Sequence, residues 1–289
     1  MKSKLFLDSG AYSAHQNKTS INIKEYIEFV KEHEDELEVY ANLDSIGSAE
    51  ETWKNQKIME DAGLNPIPVY HLDEPLKYLD MCMEYPYFAV GGLASAKGRA
   101  LEPFLRTVFE KICTKESDFY PTHKVHGFGI ATPSIINMFP WASVDSTSWA
   151  QYSRFGIILV PRIKNGIFRY DLPPYSIAVS SRSKAVGDSE HFRNLAPMER
   201  EYITNYCEER GIPIGKTLFK QVTPGYVLKS NESWTDRKDK RRVEVVTQKG
   251  VCNDGELRDV INLLYFLDLE KSQPEYPWAW TANKQNIFD

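Results

Sequence analysis

Short apolar runs alternate with amphipathic stretches along most of this 289-residue chain. The runs have the length of buried strands, and most of them end in an acid, a histidine or a glycine. The stretches between them place apolar residues at helical spacing; Ile23, Tyr26, Ile27 and Val30, for example, fall on one helix face. This alternation predicts an α/β protein with a parallel sheet, because consecutive parallel strands need a crossover between them.

Six of these runs are clear strand candidates, and they predict a TIM-like (β/α) barrel that is either whole or trimmed and irregular. The six segments read LFLDSG, VYANLDSIG, PIPVYHLDEP, YFAVGGLAS, KVHGFGIATP and WASVDSTSW. Two more runs, FGIILVPR and YSIAVSS, allow two interpretations. They complete eight strands, or they belong to a β-hairpin around the turn-like KNG between them.

The chain length fits one large α/β domain or two ordinary ones. We assign residues 1–195 to a barrel-type catalytic domain. Two further helices are expected at about 197–210 and 254–270, with a charged stretch between them. Residues 196–289 therefore read as a helical C-terminal part packed on the barrel, and they contain a basic segment at 229–249.

The composition indicates a globular protein, since 42% of the residues are hydrophobic and 12% aromatic. The net charge of -5 argues against nonspecific polyanion binding over the whole surface, although it allows a local basic patch. The four cysteines are far apart, which favours reduced thiols over disulfides or a zinc cluster. No segment approaches the roughly 20 apolar residues of a membrane helix, so we expect a soluble, cytoplasmic protein without membrane contact.

Chemically capable residues follow the strand candidates. The six runs end at Asp8, Asp44, His71, Gly91 with Gly92, His126 with Gly127, and Asp145. Each has a simpler interpretation alone, as a helix cap, a structural histidine or a turn glycine. The C-terminal ends of parallel barrel strands converge on one mouth, however, so together they predict a catalytic site there.

Four of these segments also resemble motifs of one enzyme family. LDSGAYS resembles the D-S-G-G-[FY]-Q segment of the tRNA-guanine transglycosylase superfamily, and VGGLA resembles its G-G-L-A. HGFGIATP is similar to its G-V-G-T-P, although this segment also reads as a strand, a Thr cap and a helix-starting Pro. SVDSTSW falls where the family has its F-D nucleophile segment. The chain looks most like the shorter phage-encoded members, which are thought to insert 7-deazaguanine bases into DNA.

The resemblance implies a role for each residue near the base. Asp145 would be the nucleophile that attacks C1′, and Asp8 the general acid and base. Asp44 would accept hydrogen bonds from the purine N1–H and 2-amino group. The resemblance also places Ser9, His71, Gly91, Gly92 and Leu93 near the base. His126 and Gly127 are expected there because they stand at a strand end. His71 stands where the family has a glutamine.

The sequence also departs from the family. The family's second glycine is Ala11 here, and its aromatic-Gln pair is Tyr12 and Ser13. The tRNA enzymes have further strands upstream of the D-S-G segment, so we expect residues 155–181 to close the barrel or the barrel to stay incomplete. The C-x-C-x-x-C cluster that binds structural zinc in the tRNA enzymes has no counterpart here, so we expect no zinc and no other cofactor.

The basic segment 229–249 contains seven Lys or Arg residues against four Asp or Glu residues. A solvated loop is its simpler interpretation. Beside a base-exchange site the segment would instead bind phosphates, with Trp234 available for base stacking. The candidate phosphate-binding residues are Arg237, Lys238, Lys240, Arg241 and Arg242.

These observations give a leading functional hypothesis and three alternatives. The leading one is a DNA-guanine transglycosylase that exchanges guanine for a 7-deazaguanine base, acting in the host cytoplasm if it is phage-encoded. Its partners would be DNA, the free base and possible accessory proteins. The alternatives are a tRNA-guanine transglycosylase, a nucleosidase or nucleoside transferase, and a noncatalytic nucleic-acid-binding relative.

Overall fold

The chain divides into two compact units. The computed structural model describes residues 5–92, 101–182, 191–236 and 238–280. Unit 1 falls within Met1–Ser146 and Pro274–Asp289, and unit 2 within Thr147–Gln273. The boundary between the units differs from the sequence-based boundary at residue 195. Segments 157–160 and 175–178, which the sequence assigns to the first domain, pair with each other inside unit 2.

Unit 1 alternates strands and helices. Its strands are β1 (Leu5–Leu7), β2 (Leu37–Tyr40), β3 (Val69–His71), β4 (Tyr87–Gly91), β5 (Lys124–Gly127) and β6 (Ser143–Val144). Its helices are α1 (Ala11–Gln16), α2 (Ile23–Glu32), α3 (Ala49–Asp61), α4 (Leu76–Cys82), α5 (Leu101–Ile112) and α6 (Pro133–Met138). The predicted mixed α/β class is confirmed.

The strands of unit 1 are parallel and follow chain order. β1 pairs with β2, and β3 to β6 form one four-stranded sheet. A parallel bridge between Ala41 and Ile67 joins the two sheets. In this register His126 of β5 lies opposite Ala89 of β4 and Ser143 of β6.

The parallel array is curled. On a flat sheet, strands four places apart are separated by roughly 19 Å, since neighbours are about 4.8 Å apart. Yet Phe6 of β1 stacks on His126 of β5 with ring centroids 4.2 Å apart. The concave side is apolar below this stack, where Ala41, Val69 and Ala89 are buried. Among the described residues, no hydrogen bonds between β1 and β6 close the array into a barrel.

Helices cover the outer side of the array. α2 turns Tyr26 and Val30 inward, and Asn22 caps it by accepting a hydrogen bond from the Lys24 N–H. α3 begins after Ser48, whose hydroxyl accepts from the Glu51 N–H at 3.3 Å. These caps satisfy backbone donors that have no partner within the helix. Buried side chains of the helices and strands together form the cores on this outer side of the sheet.

Unit 2 is built on antiparallel pairing. Its strands are β7 (Ile157–Val160), β8 (Arg162–Lys164), β9 (Ile167–Arg169), β10 (Tyr175–Ala178), β11 (Lys216–Gln221), β12 (Glu232–Trp234) and β13 (Arg242–Gln248). Its helices are α7 (Ser148–Arg154), α8 (Pro197–Glu208) and α9 (Gly255–Lys271). β7 pairs antiparallel with β10, and β8 with β9 around Asn165 and Gly166, which both have positive φ. The hairpin interpretation is the correct one, and these strands do not continue the parallel array.

The charged stretch between α8 and α9 is also a sheet. β11, β13 and β12 form a three-stranded antiparallel sheet in that order. The description of residues 196–289 as helical was therefore incomplete. Its strands carry charged residues on both faces, Lys220 opposite Val243 and Glu244 opposite Phe219, so they lack the alternation that marks a half-buried strand.

Candidate functional site

Three aspartates gather at the C-terminal ends of the strands in unit 1. Asp8 follows β1, Asp44 lies beyond β2, and Asp145 follows β6. The pKa of Asp8 is raised, first because protein atoms around the carboxyl displace water and then by the negative charge of Asp44. Asp145 adds to the rise, while backbone N–H groups at Ser9 and Gly10 oppose it. The carboxyl of Asp8, which still faces solvent in part, is thus under the influence of both other carboxylates.

A bonded chain holds Asp44 in place. The Ser9 hydroxyl donates to Asp44 Oδ1 at 2.6 Å, and His71 Nε2 lies 2.9 Å from Asp44 Oδ2. His71 Nδ1 lies 3.2 Å from Glu74 Oε1, and the His71 backbone N–H donates to Glu74 Oε2 at 3.0 Å. The Asp44 side chain is only 11% exposed. Both oxygens of this carboxylate therefore already have a partner.

The two carboxylates stabilise a charged His71. Burial by itself would lower the pKa of this imidazole. Hydrogen bonds and charge attraction from Asp44 and Glu74 outweigh burial and raise the pKa to about 9. The ring is thus an imidazolium at neutral pH, and each nitrogen donates to one carboxylate.

Glycine is needed at three positions, two at the end of β4 and one at the end of β5. A Cβ on Gly91 would lie 2.8 Å from Cδ2 of the His71 ring, and one on Gly127 would lie 2.5 Å from Cδ1 of Ile130. Gly92 has a φ of +76°, which L side chains rarely adopt. Gly91 therefore leaves room for the imidazole that holds Asp44. Leu93, the next predicted base contact, lies outside the described residues.

Asp145 is held more loosely than Asp44. Its Oδ1 accepts from the Gly129 N–H at 3.0 Å, and its backbone N–H donates to the Gly127 carbonyl at 3.2 Å. His126 Nε2 lies 3.4 Å from the same Oδ1. The Asp145 side chain is 50% exposed. This carboxylate is thus anchored by one oxygen and open to solvent.

A cavity of about 270 Å³ adjoins Asp44. Its walls come from α1, from the start of α3 and from the loops before α2 and after β2. Ala11, Ile21 and Leu43 give it an apolar part, while Ser45 and Glu51 are polar. The space has the mixed apolar and polar lining that suits a small heterocycle.

The predicted phosphate-binding residues lie in unit 2, near the turn between β12 and β13. Arg241 pairs with Asp239 at 2.6 Å, and Arg242 lies over the Phe219 ring, 4.6 Å from its centroid. Lys238 and Lys240 are exposed. Arg237 lies outside the described residues. Trp234 is on β12 and packs edge-on against Tyr226.

Several general features of the described residues bear on the site. All four cysteines are buried free thiols. Within residues 5–92, 101–182, 191–236 and 238–280, no group of His, Cys, Asp and Glu side chains is arranged to hold a metal ion. No helix in those ranges has the length and apolar character to cross a membrane.

Comparison of the chain with family models, with curated proteins and with solved structures finds no match.

The structure adds partners that the sequence did not single out. Glu74 binds His71, and Tyr87 and Ser143 form a chain that reaches His126. Glu74 stands three residues after His71, at the spacing of a turn, which is a weak signal. Ser143 and Tyr87 are 56 positions apart, so only the pairing of the strands brings them together.

Proposed function

We propose that the protein is a base-exchanging transglycosylase that replaces guanine in DNA with a 7-deazaguanine base. The observation that carries the proposal is the grouping of Asp8, Asp44 and Asp145 at the ends of three parallel strands, where burial and the other two carboxylates raise the pKa of Asp8. A raised pKa favours the protonated form of a carboxyl, which suits protonation of a leaving base, while a carboxylate that is open to solvent suits attack on a sugar. The four motifs that resemble the tRNA-guanine transglycosylase superfamily support the same roles.

In the proposed reaction, a carboxylate oxygen of Asp145 attacks C1′ of the nucleotide. The C1′–N9 bond breaks, its electron pair goes to guanine, and Asp8 gives guanine a proton. Asp8, now a carboxylate, takes the N9 proton of the incoming 7-deazaguanine. That nitrogen attacks C1′ and expels the Asp145 carboxylate. Two displacements at one carbon retain the configuration of the sugar.

Base selection is assigned to Asp44. Ser9 bonds to one Asp44 oxygen and His71 to the other. Each oxygen therefore keeps a further lone pair for the N1–H and 2-amino donors of guanine. A base without the donors would leave a mostly buried carboxylate unsatisfied, which costs binding free energy.

The proposal includes a trimmed, irregular (β/α) barrel as the scaffold. Six parallel strands in chain order and their curl support it. In barrels of this class the catalytic residues come from the C-terminal ends of several strands, as Asp8 and Asp145 do here. DNA is the proposed polynucleotide, and the exposed Lys238 and Lys240 are the proposed phosphate contacts.

The test is incorporation of a labelled base. The protein is incubated with labelled 7-cyano-7-deazaguanine and either guanine-containing DNA, tRNA or free deoxyguanosine, and the nucleosides are then analysed by mass spectrometry. We expect label in the deoxynucleosides recovered from DNA. The Asp145→Asn variant should give no such label. Label in tRNA alone would move the proposal to tRNA. Release of guanine without label would indicate a nucleosidase, and no reaction with any substrate would favour a noncatalytic binding protein.

A charge-reversal variant separates polynucleotide substrates from small ones. Lys238→Glu with Lys240→Glu is expected to weaken DNA binding and to lower its salt dependence, because each lost phosphate contact reduces the slope by about one. Reaction with free deoxyguanosine would be unchanged by this variant. Equal DNA binding by the variant and the original protein would contradict the assignment of these lysines.

A further inference from the structure

His126 has one ring nitrogen with a partner and one without. Its side chain is only 3% exposed, and the ring stacks on Phe6 and contacts Phe128 in a T-shaped arrangement. Nδ1 is 2.8 Å from the hydroxyl of Ser143, which is 2.7 Å from the hydroxyl of Tyr87. Nε2 has no hydrogen bond in the part of the chain that the structure describes. Buried polar atoms are rarely left in this state without a reason.

The unpartnered nitrogen faces the proposed nucleophile. Nε2 of His126 is 3.4 Å from Oδ1 of Asp145, the oxygen that already accepts from the Gly129 N–H. Because Asp145 is half exposed, a small rotation of its carboxylate brings Oδ1 within hydrogen-bond distance of Nε2. Two donors then converge on Oδ1, and Oδ2 is left as the oxygen without a hydrogen bond from the described residues.

We infer that His126 is the positioning residue of Asp145: its Nε2–H holds Oδ1 and leaves Oδ2 to attack C1′. The inference rests on the proposed function, because it assigns a part in the same reaction. When one oxygen of a carboxylate is held, the group no longer rotates freely. The lone pair of the other oxygen then stays directed at the sugar. The two aromatic rings confine the imidazole, so its nitrogens stay directed at Ser143 and Asp145.

The role requires a particular tautomer of His126. A neutral imidazole has one N–H, and the proton must be on Nε2 for donation to Asp145. Nδ1 must then accept, and the Ser143 hydroxyl is placed to donate to it while accepting from the Tyr87 hydroxyl. This direction of hydrogen bonds fixes the proton on the nitrogen that faces Asp145.

Nitrogen NMR of histidine-labelled protein tests the tautomer without any need for activity. The His126 signals are assigned as those missing from His126→Gln. We expect a proton on Nε2, a rise in the Nδ1–H tautomer in Ser143→Ala, and a shift of the Nε2–H proton in Asp145→Ala. An Nε2 without a proton in the original protein would overturn the inference.

Kinetics test the part of His126 in the reaction. His126→Phe keeps an aromatic ring in contact with Phe6 and Phe128 but removes the donor. We expect kcat for base exchange to fall on the order of 100-fold, with KM within about 3-fold. His126→Gln carries an N–H donor near the same place and is expected to recover about 10-fold of that loss. The matched control is His123→Phe, at the opposite end of β5, whose kcat should be unchanged.

The outcomes separate the two proposals. Equal kcat for His126→Phe and the original protein would overturn the positioning role while base exchange stands. Loss of activity in both His126→Phe and His126→Gln, with an unperturbed NMR spectrum in Asp145→Ala, would also overturn it. If no substrate reacts with the original protein, the proposed function fails, and the NMR result still decides whether His126 donates to Asp145.

Discussion

Asp44 and Asp145 stand at the same end of the parallel array, but their surroundings differ. Asp44 is 11% exposed, with Ser9 on one oxygen and a charged His71 on the other. Asp145 is 50% exposed and accepts one backbone hydrogen bond, from Gly129, on one oxygen. Asp44 is therefore fixed in direction, whereas Asp145 retains an open oxygen. A fixed acceptor suits recognition of a base, and an open carboxylate suits covalent attack.

The difference also separates stability from activity. Removing a partner from the Asp44 group leaves buried charge behind, which destabilises the folded state. Substitution of Asp145 should cost little folding stability, because solvent reaches its side chain and only one of its oxygens accepts a hydrogen bond. The comparison predicts large activity effects with small stability effects at Asp145, and substantial stability effects around Asp44.

The largest effect is expected from Asp145→Asn. The amide cannot form the sugar ester, so base exchange should fall by at least about 10⁴-fold. The free energy of unfolding should change by less than about 1 kcal/mol, since the site is half exposed. Activity is measured with labelled base and DNA, and stability by urea unfolding. Exchange at more than a tenth of the original rate would remove Asp145 from the nucleophile role.

The second effect is a loss of stability in His71→Leu. Without the imidazolium, Asp44 and Glu74 are left as partly buried carboxylates with no positive partner. We expect the free energy of unfolding to fall by about 3–5 kcal/mol. His15→Leu is the matched control, because His15 is exposed at the edge of the cavity, and its effect should be within about 0.5 kcal/mol. Equal effects of the two variants would show that the Asp44 group is not a stabilising unit.

A third experiment follows the charge of His71 with pH. Its folded pKa is about 9, above the usual 6.5, so the folded state binds the proton more tightly than the unfolded state. This contribution is fully present below about pH 6.5 and is lost as the pH rises through 9, by on the order of 3 kcal/mol in total. Urea unfolding at pH 6, 7, 8 and 9 should show the gap between the original protein and His71→Leu becoming smaller. A constant gap would mean that His71 does not titrate in this range.

Much of this arrangement could be predicted from the sequence. Strands β1 and β3 and the segment leading to β6 are visible as apolar runs, and parallel strands have their C-terminal ends at one edge. The alternation of side chains explains why Asp8, His71 and Asp145 share the concave side: each is two residues after an inward-facing strand residue. Asp44 and His126 are also predicted from their positions near strand ends, whereas Ser9 is predicted from the motif resemblance alone.

The sequence does not determine the couplings between these residues. That His71 joins Asp44 to Glu74 depends on a ring orientation fixed by packing against Gly91. The sheet of β11 to β13 was not predicted, because charged residues stand on both of its faces: Lys220 pairs with the buried Val243, and the next residue, Glu244, is buried as well. β7 and β10 could not be told from parallel strands by their composition, since a short apolar run fits either.

The smallest effect, and the sharpest test of the comparison, is Gly91→Ala. The new methyl carbon would lie 2.8 Å from Cδ2 of His71, so the ring must shift away from it and weaken its bond to Asp44. We expect a loss of about 1–3 kcal/mol in the free energy of unfolding, from overpacking. The control is Gly255→Ala at the start of α9, where the nearest atom is Arg258 Nη2 at 3.7 Å, and where alanine should be neutral or slightly stabilising.

Gly91→Ala also separates the two aspartates in activity. Because the substitution acts on Asp44 through His71, the KM for the base should rise more than kcat falls, while NMR signals of His126 beside Asp145 should not move. A shift of the His126 signals comparable to that of His71 would show that the two carboxylates belong to one coupled network. In that case the fixed acceptor and the open nucleophile could not be varied independently.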